Sequence, residues 1–449
     1  MRLLSLLLAA TALAAPALAA PAPAAPAPAQ PRQVADAAAV RPAQAPGLEA
    51  LFKAADRGET ETLQRALAVE RDADLRVLLD ARLAAMRLDP AAGADPRLRA
   101  LAAEGRLAEK RVAALEILSS LAFSGGDYAE AARLARTLEA LQTEAGKTDA
   151  AEATAMARVL AEMLAGEPRQ ALQRSVARGR SAARRDPAGL MRVDMKVDGR
   201  AQDAVLDTGA NLSVLSAATA RRLGVRVIEG DGRVGNSVRG TVAVRVGMAD
   251  RLEIGGNVLR NVAFLIIDDA ALTFGGGRYT IPAIIGYPVM QALGRFRVER
   301  DAFTVEPAGR AASPGDGHNL HAWANELFVD TEVGGVKVPL HLDSGANPSH
   351  LNALFADLHP DKLAGLPREQ RRLAGAGGTA TGQAVRWLDV PVAIAGRRFR
   401  APSVLVGVSG GADKPSPYYG VVGADLLASF ASYTVDLRAM RLELGAPAR

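Results

Sequence analysis

The chain of 449 residues contains no cysteine. No disulfide can form, no thiolate can attack a substrate, and no cysteine-ligated zinc site can be built. A lipid-bearing N-terminal cysteine is excluded for the same reason. Aromatic residues make up 4% and hydrophobic residues 49%, so the cores must be filled by aliphatic side chains. Charge of either sign is scarce as a pattern. The net charge is +5 and no run of five basic residues occurs, which gives no case for a nucleic-acid partner. Beyond the N-terminal segment, no uncharged apolar stretch reaches the roughly 18 residues that a membrane-spanning helix needs.

What is present begins with a targeting pattern. Arg2 precedes the apolar run Leu3 to Ala10, and Ala17-Leu18-Ala19 forms an Ala-x-Ala site. Residues 1–19 therefore read as a secretory signal peptide, too short to span a membrane. Secretion without cysteine points to a bacterial periplasm rather than a disulfide-rich extracellular setting. Residues 20–46 are a Pro/Ala-rich spacer, in which the prolines break any helix.

Residues 47–176 change character, with Ala, Leu, Arg and Glu dominant and apolar residues at helical spacing, as at Leu63, Leu67, Leu75, Leu78 and Leu79. The stretch Leu121 to Ala132, with Gly126-Asp127-Tyr128 at its centre, resembles a tetratricopeptide-repeat turn. Leu51 to Glu59 is a weaker helix-turn-helix of the same kind. An α-helical domain that docks a protein or peptide is expected here; an ordinary helical hairpin domain is the alternative. Residues 177–189, with Arg178-Gly179-Arg180, Arg184-Arg185, Pro187 and Gly189, read as an exposed linker. A fragment starting near residue 188 is then expected to fold alone. From 190 onward, short Val/Ile/Leu runs recur every eight to twelve residues with glycine turns, an all-β signature. Residues 307–322 read as a second linker between units at 190–306 and 323–449. Short helices are expected at Ala217 to Leu223, Ala353 to Leu358, Val289 to Leu293 and Asp425 to Phe430.

The two β units repeat one motif. Asp207-Thr208-Gly209-Ala210-Asn211 follows Ala204-Val205-Leu206, and Asp343-Ser344-Gly345-Ala346-Asn347 follows Leu340-His341-Leu342. The same offset carries Val193-Asp194 onto Val329-Asp330, Gly199 onto Gly335 and Ser213 onto Ser349. Downstream, Ile284-Ile285-Gly286 and Val421-Val422-Gly423 correspond, and the strands Phe296 to Val298 and Tyr433 to Val435 close the two units. Two copies of one carboxylate loop suit hydrolysis of an amide by water. Two aspartates about 3 Å apart cannot both ionise, so they share a proton and divide the roles of base and acid. Gly209 and Gly345 allow tight turns beside the carboxylates. Thr208 and Ser344 carry hydroxyls that can reach the opposite loop.

The Asp-[Thr/Ser]-Gly-Ala loop, its apolar strand and the later apolar-apolar-Gly element resemble the retropepsin-like aspartic proteases. Two such units in one chain resemble the bilobal pepsin arrangement, over roughly 190–306 and 323–445. The resemblance implies a multidomain chain: an N-terminal all-α helical repeat domain, then an all-β bilobal retropepsin/pepsin-like fold. It implies catalytic Asp207 and Asp343, supported by Thr208, Gly209, Ser344 and Gly345. It departs from pepsin in the flap. Gly230, Gly232, Gly235 and Gly240 form a glycine-rich candidate flap without an aromatic residue, more like retropepsin; Gly375, Gly377, Gly378 and Gly382 match it in the second unit, with Trp387 close behind. Of these, Gly235, Gly240, Gly377 and Gly378 are expected to meet substrate. Asn211 and Asn347 decide little at this level.

Other constellations lead nowhere. Gly407-Val408-Ser409-Gly410-Gly411 matches a nucleophile elbow, but Lys414-Pro415-Ser416-Pro417 cannot open the helix that elbow needs, and no histidine follows His359. His318, His321, His341, His350 and His359 all lie in the second unit without metal-ligand spacing. His341, two residues before Asp343, would depress that carboxylate's pKa if protonated. The expectation is an aspartic endopeptidase that needs no metal or cofactor, takes peptide or protein substrates and works as a monomer. The alternatives are a non-catalytic peptide-binding module using the same cleft, and an adaptor whose helices carry the function.

Overall fold

Local signals set the helices. Asp72, Asp95 and Asp127 each cap a helix start by accepting a backbone N–H, and Pro96 occupies a first-turn position where no N–H is missed. A computed structural model describes residues 46–105, 107–235, 241–313, 317–375, 378–409 and 417–448. The expected signal peptide and nearly all of the spacer lie outside the described residues, as do Gly240 and Gly377. The helical region comprises α1 (Leu48–Ala55), α2 (Thr60–Val69), α3 (Ala73–Met86), α4 (Pro96–Glu104), α5 (Ala108–Ser124), α6 (Tyr128–Glu144) and α7 (Thr148–Leu164). Among the described residues, no helix is long and apolar enough to cross a membrane.

A β-rich region with barrel-like sheets follows. Its strand pairings in the first half recur in the second. Met191–Val197 pairs with Arg200–Leu206 as Glu326–Val333 pairs with Val336–Leu342. Two-residue turns with both residues at positive φ close these hairpins, Asp198-Gly199 (48° and 80°) and Gly334-Gly335 (60° and 81°), the geometry that matches strand twist. Ala283–Ile285 lies parallel to Arg200–Leu206, and Gly420–Val422 lies parallel to Val336–Leu342. Long hairpins complete each half: Thr241–Ile254 with Asn257–Ile267, and Gly378–Ile394 with Arg397–Val408. Short helices α8 (Ala217–Leu223), α9 (Tyr287–Leu293), α10 (Ala353–Leu358) and α11 (Ala424–Ala428) sit at the expected places. The halves join edge to edge where Arg295–Glu299 pairs antiparallel with Ser432–Asp436.

Three boundaries differ from the sequence reading. The segment 177–189 is no linker: Gly179–Arg185 is a strand between Ala302–Val305 and Met191–Val197. Ala171–Arg174 is also a strand, paired with Asn257–Ile267, so the helical region ends at Leu164 rather than 176. The misleading feature is composition. Only Gly179 and Ala183 of the Arg-rich strand are buried, and its partners lie far along the chain. The linker 307–322 is shorter than expected, because Leu320–Trp323 already pairs with Glu326–Val333.

The helical region is not a separate body either. Phe123, Tyr128, Leu160 and Leu164 share one apolar cluster with Val205, Leu212, Val214, Val234 and Val244. Trp323 and Ala324 enter the cluster of the N-terminal helices, where the Arg82 guanidinium lies 3.1 Å from the Trp323 ring centre. This shared packing argues against the independence expected of residues 188–449.

Candidate active site

The strands Arg200–Leu206 and Val336–Leu342 deliver Asp207 and Asp343 at their C-terminal ends. Asp207 N–H donates to Ile285 O and Asp343 N–H to Val422 O, each at 3.0 Å. This is why an apolar pair must lie behind each loop: it holds the loop backbone rigidly without competing polar side chains. Gly286 N–H donates to Ser213 Oγ at 3.1 Å, and Gly423 N–H to Ser349 Oγ at 2.8 Å. Within each loop the glycine N–H donates to its own aspartate, Gly209 to Asp207 Oδ1 at 2.9 Å and Gly345 to Asp343 Oδ1 at 3.0 Å.

The structure brings the two loops together. Thr208 Oγ1 donates to Leu342 O at 2.6 Å and accepts from Ser344 N–H at 2.9 Å. Reciprocally, Ser344 Oγ donates to Leu206 O at 2.7 Å and accepts from Thr208 N–H at 3.1 Å. A Cβ on Gly209 would stand 2.6 Å from the Asp343 Cγ, and one on Gly345 would meet the Asp207 carboxyl. Glycine is required there because the opposite carboxyl occupies the space.

Asp207 and Asp343 are 2% and 5% exposed, and their carboxyls are hydrogen-bonded to each other. Burial raises both pKa values, because it disfavours the charged form. Asp207 is pushed up to about 6, held back by the Gly209 N–H and by the hydrogen bond from Asp343. Asp343 is raised further, by burial and then by the negative charge of Asp207. Asp343 is therefore the member that keeps a proton after Asp207 has lost its own. His341 plays no part in this. Burial lowers its pKa to about 4, so the imidazole is neutral, stacked 5.2 Å from Tyr418, and the expected depression of Asp343 does not arise.

Sequence reasoning passed over a second brace. Asn211 Nδ2 donates to Ala324 O at 2.8 Å, and Asn347 Nδ2 donates to Ala188 O at 2.7 Å. Each asparagine thus ties its loop to the opposite half. The available signal was its identity in both copies of the motif. Asn325 Nδ2 returns a bond to Asn211 O at 3.1 Å and its Oδ1 accepts from Ser124 Oγ at 2.5 Å, linking this brace to α5.

Of the expected flap residues, Gly235 ends the strand Gly232–Gly235, which pairs with Thr241–Ile254. Gly378 opens Gly378–Ile394 and pairs with Gly375 at the end of Arg368–Gly375. Trp387 does not stand over the site: a Cβ on Gly334 would run into its ring, and it lies 6.2 Å from Phe355. Ser409 Oγ donates to Asp357 Oδ2 at 2.8 Å. Among the described residues no three His, Asp or Glu side chains gather in a metal-ligand group.

Comparison with known proteins reaches part of the chain. Residues 193–289, which contain Asp207 and Gly286, match the family described as Aspartyl protease. One solved structure that matches is a retropepsin-like aspartic protease from Rickettsia conorii, at 17% identity, covering 28% of this chain and 89% of that one with a TM-score of 0.21. No curated protein matches the chain. The family match supports an aspartic protease.

Proposed function

We propose that this chain is a single-chain, two-lobed aspartic endopeptidase, with lobes at the two β halves and Asp207 and Asp343 as its catalytic pair. The observation that carries the reading is the buried, hydrogen-bonded pair of carboxyls, held by reciprocal bonds of Thr208 and Ser344. Asp207, the more acidic, takes a proton from water as the water oxygen attacks the scissile carbonyl carbon. Asp343 gives its proton to the carbonyl oxygen, and a tetrahedral diol forms. Asp207 then protonates the leaving nitrogen while Asp343 recovers a proton from the diol, so the pair is reset. The glycine-rich hairpins would cover a bound peptide and exclude water. The helical domain is a docking surface for protein substrates or a partner, and the enzyme acts as a monomer after export to the periplasm.

The test is hydrolysis of a random peptide library by the wild type and by Asp207→Asn and Asp343→Asn. Each substitution removes a group that must exchange a proton, so each should lower turnover at least about a hundredfold while the protein stays folded. Activity retained in either variant would reject the assignment. A folded wild type that cleaves nothing but binds peptides would favour the binding-module alternative.

A further inference from the structure

Strand register exposes a polar site where the halves otherwise correspond. In the first half, Val234 pairs with Val242 across the flap hairpin. Val214, at the end of the dyad loop, pairs with Ile284. Both valines are fully buried and lie in one apolar cluster with Ala210 and Leu212 of that loop. In the second half, His350 takes the place of Val214 and pairs with Val421. Arg371 takes the place of Val234, and the residue opposite it is Gly382. An arginine has replaced a core valine, and the loss of the facing side chain leaves it room.

Arg371 is only 8% exposed, yet its Nε and Nη2 have no hydrogen-bond partner among the described residues. Burial shifts its pKa down to about 10, and no carboxylate among the described residues offsets it. Its charge acts on the neighbouring His350, whose pKa burial and Arg371 together lower to about 3. The imidazole is therefore neutral and does not compete for an anion. Leaving a buried guanidinium without a partner is costly. A planar fork with free donors fits a carboxylate.

We propose that Arg371 is a specificity-determining residue that binds an acidic side chain of the substrate, in a subsite beside the Asp343 loop. This rests on the protease reading, and the two can fail separately. Paired peptides differing only by Glu or Gln at each position in turn are compared for cleavage by the wild type, Arg371→Met and Arg371→Lys. The wild type should favour Glu at one position by about tenfold. The ratio should fall to near one in Arg371→Met and return in part in Arg371→Lys. The same peptides are tested for binding to Asp207→Asn protein by fluorescence anisotropy. If nothing is cleaved but Glu peptides bind more tightly than Gln peptides, the protease reading fails and the acidic subsite stands. Equal handling of Glu and Gln in the cleavage and binding measurements, or a preference that survives in Arg371→Met, overturns the proposal.

Discussion

The two halves carry the same carboxylate loop but meet the helical region differently. Helix α7 lies over the root of the first candidate flap. Leu160 and Met163 stand against Gly232 and Gly230, and Arg226 forms an ion pair with Glu167 just beyond that helix. The helical region touches the second half elsewhere: Arg82 on Trp323, Gly58 against Phe328 and Glu59 bonded to the Tyr419 hydroxyl. The corresponding strand of the second half, Arg368–Gly375, carries Arg371 where the first half carries Val234. Symmetry is thus kept where two carboxyls must face each other and abandoned where a peptide would be selected. An apolar root such as Val234 suits a helix as its roof, whereas a root carrying Arg371 suits the charged side chain proposed above.

Truncation should break this comparison most completely. A fragment of residues 188–449 loses Gly179–Arg185 from the middle of a sheet and uncovers Val234, Val244 and Leu212. It should fail to fold cooperatively, which circular dichroism and thermal melting of the fragment would show. A soluble fragment with a sharp transition would mean that the helical region is dispensable.

Acidity sharpens the comparison between the two carboxyls. On the proposed mechanism turnover needs one proton on the pair, so activity should fall about tenfold per pH unit below about 6, as Asp207 becomes protonated. Stability runs the other way. Both folded-state pKa values lie above the unfolded one, so this contribution is complete below the unfolded pKa and is lost as pH rises through the folded values. Asp343→Asn removes one member of the costly pair. Its melting temperature should exceed that of the wild type at pH 8 and not at pH 4.

The roof itself can be loosened. Leu160 is fully buried, and Leu160→Ala should cost about 3 kcal/mol in urea unfolding. Amide exchange should quicken over Gly232–Gly235 and leave Arg368–Gly375 unchanged. Equal quickening of both strands would show that the flaps are coupled, and the comparison would lose its basis.

How much of this was legible in the sequence follows from distance along the chain. The carboxylate loops, their apolar partners and the short helices α8 and α10 are local patterns written twice, and repetition separated them from chance. The strand Gly179–Arg185 is also local, but what makes it a strand is pairing with Ala302–Val305, which no nearby residue announces. The roof of α7 and the isolation of Arg371 depend on strand register, where a one-residue slip would reverse every side chain. Nothing in the composition of Arg368–Gly375 separates a buried arginine from a solvated one.

The asparagine brace gives the smallest and most discriminating test. Its two bonds are alike in length and span 113 and 159 residues of sequence, so geometry alone predicts equal roles. Burial differs: Asn211 is 2% exposed, whereas Asn347 and the Ala188 that accepts its bond are half-buried. Removing the Asn211 amide strands the carbonyl of buried Ala324 without a donor, at about 2 kcal/mol, whereas water can replace the Asn347 amide, at about 1 kcal/mol or less. Asn211→Ala should therefore destabilise more than Asn347→Ala in urea unfolding. The double variant should cost about the sum of the two, because each bond crosses to the opposite half at its own point. Equal single costs would mean that solvent reaches both braces, and that the asymmetry imposed by the helices stops at the flaps without entering the site.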